Sequence, residues 1–423
     1  MAHSFAMLLL AFISIMVLCQ IMHVICRAIG QPVVIGEIIA GVLLGPSLIG
    51  TLFPNVSATL FPPDLLSVMG MVSQLGLVLF MFTVGLEFSV KEIRSGAKVG
   101  IGVSLTGIAV PMVLGVGFAL TAHEWVPLFP DGISITTGAV YLGLLLAITA
   151  FPVLARILTD RGISSTRYGT LSLAAGAIDD VLAWILLAIV LAMAGATSAG
   201  GIWIALGGLA VLAAVLPFAR RGLQWALNSS WSKKTEGFVV AFLAMLVTAW
   251  FTESIGIHAV VGAFALGVVM PRGETSEKLI TVIRPVTVWL FLPLFFAYTG
   301  LQTNFLVLDN LVVIAAGLVV VVFAFVGKLA TCTTTARLMG ESWDDSLRIG
   351  FLMNTRGLMQ LIALNVGMQA GLVTPTLFAI IVIVAILTTL AAAPGLEFID
   401  RRAARRARRA PDSTAEAVET AVG

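Results

Sequence analysis

Asp179 and Asp180 stand side by side in LSLAAGAIDDVLAWILLAIV (171–190), a stretch otherwise apolar almost end to end. An aspartate at the centre of a membrane-spanning helix costs roughly 2.5–3.5 kcal/mol on insertion scales, so intramembrane acids are read first as parts of an ion or proton pathway. Two neighbours also repel each other. Consecutive helix positions point about 100° apart, which asks both carboxylates to border one polar cavity from slightly different directions. A buried ion-pair clamp is the structural alternative. Countercharge comes from Lys328 in AFVGKLATC and Arg356 in NTRGLMQLIALNVG. A carboxylate balanced between burial, which disfavours its charge, and a nearby cation, which favours it, can trade a proton for a small cation near neutral pH. With the Thr149 hydroxyl and unwound backbone carbonyls, the two acids make a hard-oxygen site suited to Na+, Li+ or K+.

The elements that must hold these groups are membrane helices. Of 423 residues, 59% are hydrophobic and 11% charged, against about 25% charged in soluble domains. A helical span takes about 20 mostly apolar residues. Thirteen runs qualify, near 6–26, 33–52, 66–86, 99–120, 134–155, 168–194, 201–219, 237–253, 257–271, 284–301, 309–335, 347–369 and 375–396. With the N-terminus outside and each run flipping the chain, 22 of the 24 basic residues fall in inside segments or, as Arg284 and Arg348 do, at the inner end of a run, and none in outside ones. Lys328 and Arg356, the remaining two, lie within runs. This is the positive-inside pattern. The expectation is an all-α polytopic protein of the cell inner or plasma membrane, N-terminus outside and C-terminus cytoplasmic. Residues 1–400 form the transport domain, and 401–423 a basic and then disordered tail.

An odd count lets runs 1–6 and 8–13 be two six-helix halves of opposite orientation, with run 7 (201–219) as linker, the inverted-repeat plan of secondary transporters. Interruptions fall in the fifth run of each half. Pro152 breaks one run, with unwinding expected over Thr149, Ala150 and Phe151. Asn354, Thr355, Arg356 and Gly357 break the other. Paired interruptions of this kind point to a transport site, and their freed backbone groups must face a cavity or protein rather than lipid. An ordinary proline kink beside an unrelated polar patch is the plainer reading.

Other residues carry less. Cys19, Cys26 and Cys332 have no metal-ligand spacing. The first run is long and lacks a basic leader, so it reads as an anchor. The arginines of RRAARRARRA suit an anionic lipid surface or serve only to fix topology. Glu37 faces the cytoplasmic funnel or stabilises a helix start. His258 is a pH-sensing candidate or a hydrogen-bonded interfacial side chain. No cofactor, resident metal or nucleic acid is implied. The partners expected are the transported cation, protons and the bilayer.

The sequence resembles the monovalent cation:proton antiporter family 2, within it the branch that includes the plant cation/H+ exchangers. The resemblance runs through GEIIAGVLLGPSLIG (36–50), FMFTVGLEF (80–88), AITAFPVLARIL (147–158), AAGAIDDVLAWILLA (174–188), GIHAVVGAFALGVVMP (256–271), LPLFFAYTGLQTN (292–304), VGKLATC (326–332) and NTRGLMQLIALNVG (354–367). It implies thirteen helices with crossed broken helices, a homodimer, and elevator-type exchange of a monovalent cation for protons. It makes Asp180 the essential carboxylate, Asp179 the second acid able to pair with Lys328, and Thr149 a border of the site. Many relatives carry Asn-Asp where this chain has Asp179-Asp180, which favours electrogenic exchange and Na+ over K+. Gln360 replaces a frequent acid, altering the charge balance around Arg356.

A sodium-coupled symporter of an organic anion on a related fold is the main alternative; it would need a roomier pocket and no buried lysine. An intramembrane aspartyl protease needs its two aspartates on different helices, and no filter-like repeat suggests a channel.

Overall fold

The protein is described here by a computed structural model covering residues 2–87, 90–194, 199–228, 236–255 and 259–409. Among them there are helices and turns and no strand. In the first half, α1 (Ala2–Ala28) turns at Gly30, φ +69°, into α2 (Val33–Leu44). α2 stops at Gly45, which is held extended as the residue before Pro46. The run expected over 33–52 is therefore α2 followed by the short α3 (Ile49–Leu52), with α4 (Pro54–Leu60) beyond it. Then come α5 (Pro63–Glu87), α6 (Val90–Ala122), the broken pair α7 (Ile135–Ala147) and α8 (Phe151–Asp160), α9 (Arg167–Met193) and α10 (Ala199–Asn228). The second half holds α11 (Glu236–Ser254), α12 (Ala259–Val269) and α13 (Glu274–Val286). A π-helical turn over Thr287–Phe291 leads from α13 into α14 (Leu292–Leu301). α15 (Leu311–Leu338), the broken pair α16 (Trp343–Met353) and α17 (Leu358–Gln369), and α18 (Pro375–Arg409) complete it.

Over its described residues, each of the thirteen apolar runs falls on one or more of these helices. Nine helical stretches among the described residues are long and apolar enough to cross a membrane, and Ile135–Ala147 and Ala259–Val269 are shorter apolar helices.

The packing repeats itself when the halves are exchanged. α2 lies on α1 and α14, and α12 lies on α11 and α5. α6 lies on α7 and α9, and α15 lies on α16 and α18. This is the correspondence that inverted repeats produce. Small residues allow the closest crossings in both halves, as expected where helices associate without a hydrophobic drive from water. A methyl group placed on Gly41 would lie 2.0 Å from the Ala297 carbonyl oxygen, and one on Gly267 would lie 2.4 Å from that of Phe82.

The helices sort into two bundles. One contains α1, α2, α5, α11, α12 and the α13–α14 segment. The other contains α6 to α9 and α15 to α18. Contacts between bundles are sparser, through α14 with α17 and α2 with α18, while α10 touches α9 on one side and α11 and α12 on the other.

Two expectations need correction. The unwound stretch of the first break lies at 148–150 rather than 149–151: Phe151 already opens α8, and Pro152 sits in the first turn, where a missing N–H costs nothing. The basic segment from 401 is not a separate tail, because α18 continues as helix to Arg409. Alanine and arginine favour helix, and Arg348–Asp400 (2.8 Å) and Arg406–Asp344 (3.6 Å) hold the extension against α16. Residues 410–423 and His258 lie outside the described residues.

Candidate functional site

The two breaks meet. The Ala150 N–H donates to the Thr355 carbonyl at 3.0 Å. Thr149 Oγ1 lies 3.0 Å from the Met353 carbonyl oxygen. Gly357 takes φ +152°, a conformation that favours glycine, where the second break turns into α17. Thr389 of α18 fastens this break: its hydroxyl accepts the Arg356 N–H and donates to the Arg356 carbonyl, both at 2.8 Å.

A helix interrupted inside protein leaves its last carbonyls without intrahelical donors. At the end of α7 buried side chains supply them. Arg356 donates to Leu145 O at 3.0 Å and to Leu146 O, and Gln360 Nε2 also reaches Leu145 O at 2.9 Å. Lys328 donates to Ala147 O. Two fully buried cations thus stand at the negative end of the α7 dipole, where positive charge is favoured. Arg356 also reaches Ala324 O of α15 at 3.3 Å.

Asp179 lies at the meeting point of four helical segments. Its Oδ2 accepts from Lys328 Nζ of α15 at 2.9 Å and from the Thr149 hydroxyl at 2.7 Å. Its Oδ1 accepts from Ser104 Oγ of α6 at 2.5 Å. Three convergent donors match the acceptor-only character of an ionised carboxylate. The Lys328–Asp179 ion pair is 0% exposed on both sides.

Asp180 differs. It sits beside the N-terminus of α8, where the Phe151 N–H faces its Oδ1 at 3.4 Å. Its Oδ2 is buried with no hydrogen-bond partner among the described residues. The side chain is 4% exposed. Adjacent acids therefore differ in commitment: Asp179 is fully engaged, and Asp180 keeps one oxygen open.

Two cavities flank this centre along the seam between the bundles. One, of about 230 Å³, is lined by Ser73, Gln74, Glu253, Tyr298, Asn365 and Gln369, all on the expected outer halves of their runs. The other, of about 400 Å³, is lined by residues on the expected inner side, among them Arg27, Val34, Arg156 and Arg161. Neither is lined by Asp179 or Asp180.

The residues singled out from sequence assemble unevenly. Asp179, Asp180, Thr149, Ala150, Phe151, Lys328 and Thr355 come together at the crossing of the breaks. Arg356 is buried in the same place, but its hydrogen bonds go to backbone carbonyls and to neither carboxylate. Asn354 donates to Gly350 O, closing α16. Pro152 occupies the first turn of α8. Glu37 lies buried in the second turn of α2, within electrostatic reach of Arg156. Ser104 and Thr389 were not anticipated. Either is one hydroxyl on an apolar helix, and nothing in the local sequence marks it.

The chain resembles known antiporters along nearly its whole length. A family profile described as "Sodium/hydrogen exchanger, transmembrane" matches residues 11–399. Cation/H(+) antiporter 17 of Arabidopsis thaliana is 36% identical over 400 residues, covering 93% of this chain and 48% of that protein. Na(+)/H(+) antiporter NhaS4 of Synechocystis sp. is 36% identical over 397 residues, covering 92% of this chain and 96% of that protein. The chain thus spans about half of the plant relative and nearly all of the cyanobacterial one. In fold, it matches the structure of the sodium proton antiporter MjNhaP1 from Methanocaldococcus jannaschii at pH 8, with a TM-score of 0.61 at 15% identity over 93% of this chain and 95% of that one. These relatives are antiporters, transporters rather than enzymes.

Proposed function

The chain belongs to the transmembrane sodium/hydrogen exchanger family, and from that premise we propose that it exchanges a monovalent alkali cation for protons across a cell membrane. The observation that carries this reading is the open Oδ2 of Asp180, a buried carboxylate oxygen without a hydrogen-bond partner among the described residues, at the meeting of two broken helices. A proton and a small cation compete for that oxygen. Thr149 and Asp179 border the place, and Lys328 holds Asp179. Arg356 supports the site indirectly, by satisfying the α7 terminus so that the break persists.

Both acids are nearly inaccessible here, so alternating access requires movement. The sparse seam between bundles and the cavity on either side of it suit an elevator-type displacement of the α6–α9/α15–α18 bundle against the other. The helices from α1 to α18 serve as the transport domain, with 201–219, within α10, linking the repeats. Two acids allow two protons to leave as one cation arrives, which makes exchange electrogenic, and the second acid favours Na+ over K+. The chain works as a homodimer, with the N-terminus outside and the C-terminus in the cytoplasm.

Proteoliposomes with a trapped pH dye test this. Na+, Li+ or K+ alone should dissipate an imposed proton gradient, with Na+ effective at the lowest concentration, and Asp180→Asn should abolish the response. Activity preserved in Asp180→Asn, or a response that appears only when an organic anion is added, would overturn the reading.

A further inference from the structure

The inner cavity carries the opposite charge to the cargo proposed for it. Arg27 of α1, Arg156 of α8 and Arg161 just beyond α8 line its roughly 400 Å³, and none of the described residues lining it is acidic. The N-terminus of α2 opens into the same space. Pro32 occupies the N-cap position and provides no side-chain cap. An uncapped helix N-terminus presents free N–H groups and partial positive charge.

The described acids nearby are already engaged. Glu37, buried behind the wall, faces Arg156. Glu397 lies 4.0 Å from Arg161 and closer, at 3.3 Å, to Arg401. Three guanidinium groups and a helix terminus therefore converge on one space, with two described carboxylates near them. Guanidinium forks and helix N-termini are the two protein groups best matched to phosphate oxygens, and the volume falls within the range of small-molecule sites.

We propose that this cavity is a binding site for a phosphate-bearing anion, held by Arg27, Arg156, Arg161 and the first turn of α2. Its walls come from both bundles: α1 and α2 on one side, α8 and Ala393 of α18 on the other. An anion bound there bridges the seam and holds the bundles in their present arrangement, so it slows exchange. Two sources share this chemistry, an anionic phospholipid headgroup reaching in from the bilayer and free inorganic phosphate. The binding claim stands apart from the exchange reading; the slowing rests on it.

The test uses the full purified chain in detergent, with thermal unfolding as the readout, since a ligand that binds the folded state raises its melting temperature in proportion to occupancy. Dihexanoyl-phosphatidylglycerol, dihexanoyl-phosphatidylcholine and inorganic phosphate are titrated separately. Saturable stabilisation by phosphatidylglycerol alone identifies a headgroup site, and stabilisation by inorganic phosphate as well identifies a free-anion site. The half-saturating concentration should rise at least tenfold in Arg27→Gln/Arg161→Gln and less in the paired lysine variant. Arg27 is exposed, so Arg27→Gln alone keeps the test available if the double variant does not fold. No response to either anion, an equal response to phosphatidylcholine, or an unshifted titration in these variants would overturn the site. In proteoliposomes the binding anion should slow dye recovery, and binding without slowing would remove the bridging role. A chain that exchanges no cation yet is stabilised by the anion would sink the function above and leave this site standing.

Discussion

Ala150 and Thr355 are joined by one backbone hydrogen bond of 3.0 Å, N–H to carbonyl, at the point where two interrupted helices come together. Each break supplies what the other lacks, because an unwound segment within a membrane protein has no water to turn to. The pair therefore behaves as one element, and Thr389 ties that element to α18 through two further bonds.

Removing the tie should be costly and specific. Thr389→Val keeps shape but leaves the Arg356 N–H and carbonyl without these partners, a loss of about 1–3 kcal/mol for each buried group left unsatisfied. A lower melting temperature in detergent is expected, with recovery in Thr389→Ser. A valine variant as stable as the parent would mean that the break is held elsewhere.

Lys328 and Asp179 call for a double-mutant cycle. Stripping one partner from a buried ion pair leaves an uncompensated charge and costs about 3–5 kcal/mol. Lys328→Met and Asp179→Asn should each destabilise strongly, and the double variant less than the sum of the two. Strict additivity would show that the pair contributes no coupling. Asp179→Asn should also retain some exchange with weaker dependence on membrane potential, measured as dye recovery with and without an imposed potential.

Arg356 and Gln360 share the Leu145 carbonyl, so they should not be equivalent. Arg356→Met frees the Leu146 carbonyl at the end of α7, at about 1–3 kcal/mol, whereas Gln360→Ala leaves Leu145 still bonded to Arg356. Chemical unfolding should rank the arginine variant clearly below the glutamine variant. Equal effects would argue that the guanidinium does not cap α7.

Glycine substitutions separate crowding from helix propensity. Gly41→Ala drives a methyl group into the Ala297 carbonyl, and overpacking costs about 1–3 kcal/mol or more. Gly222→Ala meets nothing within 4 Å among the described residues and should be neutral or stabilising by roughly 0.5–1 kcal/mol. Melting curves of the two variants check the contrast.

Much of this architecture is written in composition. Apolar runs mark the helices because a bilayer admits little else, and the acids at 179 and 180 are conspicuous because water-loving groups are rare at such depth. Pro152 and the Asn354–Gly357 cluster mark the breaks for the same reason. What stays hidden depends on three-dimensional adjacency. Ser104 reads as any small residue on α6 until Asp179 is seen against it. Arg356 looks like a partner for an acid, yet a helix terminus offers carbonyls that satisfy a guanidinium equally well. The continuation of α18 past residue 401 could not be separated from a solvated basic tail, since charge run and helix propensity give the same letters.

Arg348 of α16 reaches Asp400, and Arg406 reaches Asp344 at the start of α16. The final turns of α18 are thereby geared to the helix whose far end is the second interruption. One short helix, α16, therefore touches the end of α18 at its start and the second break at its finish.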